Sequence, residues 1–156
     1  MKFILALVIF GCILYFGWFL YEKTRKKLVF YNNFLQFCNL LETEIGFFQN
    51  NIEEILHKNN YKKEFSEVVE NFSKSKNLLE WKNSQSVLTQ TEAEEVELFF
   101  SKLGKLDSTS QTNEVKSYKK FLDSKIEDTK KVNLKNGKLT FNLSIMLGLL
   151  VFIIII

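Results

Sequence analysis

Residues 3–21 read FILALVIFGCILYFGWFLY, and residues 139–156 read LTFNLSIMLGLLVFIIII. Neither segment contains a charged side chain, and each is long enough, at about 27 to 29 Å as a helix, to match the hydrocarbon core of a bilayer. We therefore predict an all-α protein with two terminal transmembrane helices flanking a small cytoplasmic helical bundle. The predicted boundaries are residues 1–22 and 139–156 for the two transmembrane helices and residues 23–138 for the helical domain.

The first apolar segment has the features of an uncleaved anchor. Trp18 and Tyr21 lie in its C-terminal third, and amphipathic rings favour the headgroup layer of a membrane. A signal peptide has a shorter apolar region of about 7 to 15 residues and a small-residue cleavage site, and no such site precedes Glu22. The alternative is an exported or lipid-anchored helical binding protein with a processed N-terminal segment, since Gly11-Cys12 faintly resembles a lipoprotein processing site.

Basic residues flank both apolar segments on the side of the central region. They are Lys23, Arg25, Lys26 and Lys27 after the first segment and Lys125, Lys130, Lys131, Lys135 and Lys138 before the second. Basic residues beside a spanning helix tend to remain in the cytoplasm, so the central region is predicted to be cytoplasmic. Basic runs also occur in nucleic-acid-binding proteins, but this position favours orientation and contact with anionic headgroups. We predict the lipid bilayer as a partner and no nucleic acid.

The composition indicates helices and gives no sign of a metal or cofactor site. The chain of 156 residues contains no proline, so long uninterrupted helices can form. Cys12 and Cys38 form no disulfide framework or metal-ligand pair, and His57, the only histidine, is predicted to lie at the surface. We find no phosphate-binding loop, zinc motif or catalytic triad. A non-enzymatic protein without cofactor, metal or small-molecule substrate is therefore predicted.

An apolar stripe with helical spacing predicts one long helix, which is free to continue directly from the first apolar segment. Its members are Phe30, Phe34, Phe37, Leu41, Ile45, Phe48, Ile52 and Ile55. Glu42 and Glu44 lie within this helix about 200° apart around its axis, so they cannot form a facing acid pair. Glu44 falls at the edge of the stripe and is the acid expected to meet a partner or neighbouring helix, whereas Glu42 is equally well explained as a solvated charge.

Further amphipathic patterns predict helices in the rest of the central region. Their apolar positions are Tyr61, Phe65, Val68, Val69 and Phe72; Leu78, Leu79 and Trp81; Val96, Phe99, Phe100 and Leu103; and Val115, Tyr118, Leu122, Ile126 and Val132. Thr89 with Glu92 and Thr91 with Glu94 both fit a capping box at the start of one helix.

Residues 103–111, LGKLDSTSQ, join the last two predicted helices of the central region. Gly104 fits a left-handed C-terminal cap. Ser108 with Gln111 fits the N-cap and N3 pair of the following helix, and Asp107 is an alternative N-cap. Capping alone can explain each of these residue types.

Taken together, these features resemble the stage III sporulation protein AB family over nearly the whole chain. The similarity is carried by the order and spacing of Leu40 to Ile45, Trp81, Leu103 to Gln111 and Gly137 to Ile156. The last apolar segment of the family usually begins S-L-G-V-L-G-G. Here Ser144 and Leu147 replace two of those glycines, and Leu147 does not retain the small size that lets membrane helices approach closely.

The resemblance implies a membrane component of the sporulation A-complex of endospore-forming bacteria, in the mother-cell membrane around the forespore. The family serves the channel between mother cell and forespore, and its helical domain is similar to platform proteins of secretion and pilus machines. The implied partners are a cytoplasmic secretion-type sporulation ATPase and other membrane proteins of the complex. The candidate partner-binding residues are Glu42, Glu44, Gly104, Asp107 and Gln111. An envelope protein that merely shares the helical layout is a further alternative.

Overall fold

A computed structural model describes residues 2–47, 52–57, 61–76, 78–132 and 138–155. Within these ranges all regular elements are helices, which confirms the all-α prediction for the described residues. They are α1 (Lys2–Phe47), α2 (Ile52–His57), α3 (Lys63–Ser75), α4 (Leu79–Ser84), α5 (Gln90–Lys102), α6 (Ser108–Val132) and α7 (Lys138–Ile155). The chain divides into a terminal unit, up to Lys26 and from Glu127 onward, and a central unit from Lys27 to Ile126.

Helix α1 carries both the first apolar segment and most of the apolar stripe. Its 46 residues run from Lys2 to Phe47, which confirms that the helix continues beyond the apolar segment. Ile52 and Ile55, which the stripe assigns to the same helix, lie in the described helix α2. Phe48 and the rest of residues 48–51 lie outside the described residues, so this part of the one-helix prediction stays a prediction.

Phe34 lies at the centre of the core of the central unit. Its ring centroid is 5.2 Å from those of Phe65 on α3 and Phe99 on α5, and 5.1 Å from that of Tyr118 on α6. Its side chain is fully buried. Aromatic pairs at these distances are favourable beyond the area that they bury, so one ring of α1 joins three other helices.

Most predicted core positions are buried. The confirmed positions are Phe30, Phe34, Phe37, Leu41, Ile45, Ile55, Phe65, Val68, Val69, Phe72, Leu78, Trp81, Val96, Phe99, Phe100, Leu103, Val115, Leu122 and Ile126. Tyr61 and Tyr118 are partly buried and pack against this core. Leu79 and Val132, the other apolar residues of these patterns, are each 48% exposed and lie outside the core. Val132 is the last residue of α6 and belongs to the terminal unit, outside the core that buries the preceding stripe.

The N-terminus of α5 is closed by the first of the two predicted capping boxes. The Thr89 hydroxyl accepts from the Glu92 N–H, and a Glu92 carboxylate oxygen accepts from the Thr89 N–H at 3.0 Å. Thr91 lies inside the helix, so the alternative box was wrong. Glu92 also forms an ion pair with Lys27 of α1 at 2.7 Å, and the start of α5 is thereby fixed to α1.

Small residues allow close packing within the terminal unit. A Cβ atom added at Gly17 would lie 2.5 Å from Oγ and 2.8 Å from Cβ of Ser144, and one at Gly148 would lie 2.6 Å from the ring of Phe10. The small side chain of Ser144 therefore still allows a close approach between α1 and α7. Leu147, the other replaced glycine position, is 57% exposed.

One helix of the described ranges, α1, is long and apolar enough to cross a membrane, and its apolar part has a mean hydropathy of 2.3. Its large apolar side chains near the N-terminus are mostly exposed, including Ile4 at 69%. Such a long, exposed, apolar helix indicates association with a membrane. The apolar helix Phe141–Ile154 is shorter, and the two-span arrangement, with its boundaries at residues 22 and 139, stays a prediction. The side chain of His57 lies outside the described residues.

Candidate partner-binding surface

Glu42 forms an ion pair between the end of α1 and the middle of α6. Its Oε2 atom is 2.6 Å from Nζ of Lys119, and its Oε1 atom is 3.8 Å from Nζ of Lys116. The hydrogen bond from Lys119, followed by the charges of both lysines, holds the pKa of the Glu42 carboxyl below its usual range. Glu42 is therefore an ionised acid that meets a neighbouring helix and not simply a solvated charge.

Glu44 lies among the buried residues at the end of α1. Only 4% of its surface is exposed, and the next residue, Ile45, is 9% exposed. The helical wheel placed Glu44 at the edge of the apolar stripe, and the structure places it on the buried side of that edge. A carboxylate in such a position acts on its surroundings within the fold more readily than on a partner that approaches from solvent.

Gly104 and Gln111 hold the loop between α5 and α6. Gly104 has a φ of 77°, in the left-handed region, directly after Leu103, the C-cap residue of α5. This confirms the predicted left-handed cap, because glycine adopts this conformation without a steric penalty. The Gly104 N–H donates to Oε1 of Gln111 at 3.0 Å, and Gln111 is only 3% exposed.

Asp107 is the N-cap of α6. Its Oδ2 atom accepts from the Ser110 N–H at 3.0 Å, and its carbonyl oxygen accepts the first helical hydrogen bond, from the Gln111 N–H at 2.8 Å. Hydrogen bonds from the Ser110 side chain and backbone hold the pKa of Asp107 below its usual range. The predicted box of Ser108 with Gln111 was wrong, because Gln111 bonds Gly104 instead, and the alternative cap at Asp107 is confirmed.

Ser108 connects this loop to the end of α1. Its hydroxyl donates to the carbonyl oxygen of Ile45 at 3.5 Å, a long hydrogen bond across 63 positions of sequence. We call the region around this contact the α1–α6 corner, and define it as residues 41–45 and 103–111. Glu42, Glu44, Gly104, Asp107 and Gln111 all belong to it, although the Glu42 carboxylate is directed to Lys119, beyond the corner.

Some residues of the corner hold its conformation through hydrogen bonds, and other residues of the corner expose their side chains to solvent. Gly104, Asp107 and Gln111 bond within the loop and its first helical turn. The side chains at positions 105, 106, 109 and 110 are exposed. Leu106, at 42% exposure, is the large apolar side chain of this exposed set. A partner that approaches the corner would meet these exposed side chains before the bonded ones.

Sequence reasoning missed Lys119 and Lys116, and it named Ser108 as a cap without predicting its contact with α1. Glu42 and Lys119 are 77 positions apart, and no local spacing links residues at that separation. The lysines of α6 lie on an amphipathic helix where solvated charges are ordinary, so their pairing becomes evident only when α1 and α6 are seen together.

The observed fold and corner define a class of protein. Its described elements are all helices, and an apolar, membrane-associating helix extends into a helical unit with an ordered interhelical corner. The family model of stage III sporulation protein AB matches residues 2–156, essentially the whole chain, and the protein belongs to that family. Its role is accordingly related to sporulation. Neither the curated proteins nor the solved structures contain a significant match to the chain.

Proposed function

We propose that the protein is a non-enzymatic membrane adaptor of a sporulation complex with a secretion-like platform. In this role it serves the channel between mother cell and forespore, and its central unit docks a cytoplasmic secretion-type ATPase and other membrane proteins of the complex. Membership of the family supports the assignment to sporulation. The long apolar part of α1 supports a role at the membrane.

The proposed topology is a two-span hairpin in the mother-cell membrane that surrounds the forespore, with residues 23–138 in the cytoplasm. The close approach of Gly17 and Ser144 supports a paired arrangement of α1 and α7. The basic residues that follow the first apolar segment and precede the second support a cytoplasmic central region. Transmembrane helices 1–22 and 139–156 are part of this proposal.

The observation that carries the docking proposal is the ordered loop of the α1–α6 corner. The Gly104–Gln111 bond and the Asp107 cap order the loop before a partner binds. This order lowers the entropic cost of binding. Exposed side chains, Leu106 among them, are presented by this fixed backbone. Glu42, with its ion pair to Lys119, forms the neighbouring charged edge of the docking surface.

The test is capture of the mother-cell ATPase by the full-length protein from sporulating cells. Thr109→Arg places a long cation on the exposed part of the corner and leaves the bonded residues unchanged. Thr91→Arg is the matched control, because Thr91 is also exposed and also lies in the first turn of a helix, α5. We expect Thr109→Arg to lower the captured ATPase at least about tenfold, as desolvation of an unpaired charge at an interface costs several kcal/mol. Thr91→Arg should retain wild-type capture.

Three results would overturn the proposal in different ways. Absence of the ATPase from the wild-type capture would remove the docking role. Release of the protein by alkaline carbonate would remove the membrane anchor. A mature N-terminus at Cys12 or after Tyr21 would indicate the exported binding protein instead. A cytoplasm-specific reporter fused near Lys76 measures the topology directly.

A further inference from the structure

We propose that free lysines of the terminal unit bind the headgroups of anionic phospholipids and give the protein a preference for anionic over zwitterionic lipid. This inference rests on the proposed membrane attachment and adds to it the chemistry of the lipid. The residues concerned are Lys23 and Lys26 of α1 and Lys130 of α6, which belong to the same compact unit.

The two units of the chain differ in charge. Residues 1–26 and 127–156 contain eight basic and three acidic side chains, whereas residues 27–126 contain thirteen basic and fifteen acidic ones. The basic surplus of the protein therefore lies entirely in the unit that carries the apolar segments. A local surplus of one sign attracts ligands of the opposite sign.

Several cations near the ends of the apolar segments already have an acidic partner. Arg25 pairs with Glu22 at 3.3 Å within the terminal unit. Lys131 likewise pairs with Glu127 at 2.7 Å. These pairs neutralise part of the basic surplus, so cluster size alone overstates the charge that is available to a ligand.

Lys23, Lys26 and Lys130 differ from these paired cations. All three are exposed, and within the described ranges none of them forms an ion pair. Each ammonium group therefore has three N–H donors that no acidic side chain of the described ranges engages, and such donors are the groups that a phosphate recognises.

The position of the free lysines favours a lipid over any other polyanion. Lys23 and Lys26 follow Tyr21, the last residue of the apolar segment, by two and five residues, or about 3 and 7.5 Å along a helix. Each headgroup layer of a bilayer is about 5 to 7 Å thick, and lysine side chains extend into it while their stems cover apolar surface. Any chain anchored by α1 thus holds these cations at the level of the phosphates.

The expected preference is large enough to measure. A basic residue near an anionic membrane surface strengthens binding by roughly fivefold, and the effect decays over a screening length of about 8 to 10 Å at physiological salt. Lys23 and Lys26, partly screened, should together enrich anionic lipid around the protein about tenfold.

The experiment uses the full chain in mild detergent with equimolar phosphatidylglycerol and phosphatidylcholine of identical acyl chains. Lipid that remains with the protein after gel filtration is quantified by mass spectrometry. We expect wild type to retain about ten times more phosphatidylglycerol, and this ratio to fall toward one in 0.5 M salt. The triple variant Lys23→Gln/Lys26→Gln/Lys130→Gln should retain the two lipids almost equally.

The matched control is Lys63→Gln/Lys105→Gln/Lys120→Gln, which removes three exposed lysines of the central unit and should keep the wild-type ratio. An equal ratio for wild type, or the same loss in both triple variants, would overturn the inference. A labelled oligonucleotide that binds wild type in lipid-free micelles and not the first triple variant would assign the cations to nucleic acid and overturn it as well. Carbonate extraction tests membrane attachment in a separate experiment. The two proposals can therefore fail independently.

Discussion

The backbone N–H of Gly104 donates a hydrogen bond to the side-chain oxygen Oε1 of Gln111 at 3.0 Å, across the loop between α5 and α6. The side-chain amide of Gln111 is buried, since Gln111 is 3% exposed, and this bond gives its oxygen a partner in place of water. The φ of 77° at Gly104 is what allows its N–H to be directed to this position.

Gly104→Ala should therefore destabilise the protein by about 1 kcal/mol, because an alanine in the left-handed region carries a steric penalty. Gly104→Asn is the matched control, since asparagine tolerates this conformation better than alanine. The measurement is the thermal unfolding midpoint of the full chain in detergent. Equal midpoints for the alanine variant and wild type would show that the left-handed conformation does not matter to stability.

Gln111→Ala should cost about 0.5 to 1.5 kcal/mol, because it removes the hydrogen bond from the Gly104 N–H, and water can replace part of it since Gly104 is exposed. Gln111→Glu retains an acceptor at the same position and should keep the Gly104 bond. The same unfolding measurement applies. A smaller loss for alanine than for glutamate would contradict the assigned role of the Gln111 oxygen.

Phe34→Ala should destabilise the protein by about 3 to 5 kcal/mol, since it removes the central ring of the core and leaves a cavity among three helices. Phe34→Leu should cost less, because it retains most of the volume. Leu79→Ala, at a position 48% exposed, is expected to lie within about 0.5 kcal/mol of wild type. Similar losses for Phe34→Ala and Leu79→Ala would contradict the assignment of Phe34 to the centre of the core.

The stability contributed by Glu92 should depend on pH. Burial alone would raise its pKa, but hydrogen bonds from Lys27 and the Thr89 backbone, together with the Lys27 charge, lower the pKa from 4.5 to about 2. Because the pKa is lower in the folded than in the unfolded state, this stability is present above about pH 4.5 and is lost as the pH falls toward 2. The difference in unfolding midpoint between wild type and Glu92→Gln should therefore shrink over that range.

Glu94→Gln is the control for this titration, because Glu94 is exposed and belongs to the same helix. Its unfolding midpoint should differ little from that of wild type, because the substitution is at an exposed position. A Glu92→Gln difference that stays constant over this range would show that the ion pair with Lys27 contributes no stability.

Gly17→Ala should disturb the packing of the terminal unit by about 1 to 3 kcal/mol. Rotation of the Ser144 hydroxyl relieves the contact with Oγ, but the Ser144 Cβ atom at 2.8 Å remains too close, so the helices must shift. Gly11→Ala is the matched control, since nothing lies within 4 Å of its added Cβ. The thermal midpoint in detergent should fall for Gly17→Ala alone, and Ser144→Gly should restore it in the double variant. Equal midpoints for both single variants would contradict the close approach.

Helical periodicity predicted the core of the central unit well. The stripe from Phe30 to Ile45 is buried as expected, because the spacing of apolar residues on a helix leaves one face for packing. The described part of α1 extends to Phe47, and Ile55, which continues the same spacing, is buried on α2. Apolar spacing alone does not distinguish one helix from two consecutive helices that pack on the same core.

The details of the corner were predicted less completely because its hydrogen bonds compete. Asp107 and Ser108 are both good N-cap residues, and sequence alone does not rank one register over the other. The register is decided by Gln111, whose side chain bonds Gly104 and leaves the cap to Asp107. The pair of Glu42 and Lys119 depends on how α1 meets α6, which no local pattern encodes.

The central place of Phe34 also bears on how the chain is made. Synthesis proceeds from the N-terminus, and the rings that cover Phe34 lie at positions 65, 99, 100 and 118. The apolar face of α1 therefore stays open until the ribosome has completed about three quarters of the protein, a stage at which exposed apolar surface favours aggregation. Insertion of the first apolar segment during translation would hold this unfinished face at the membrane and apart from other nascent chains.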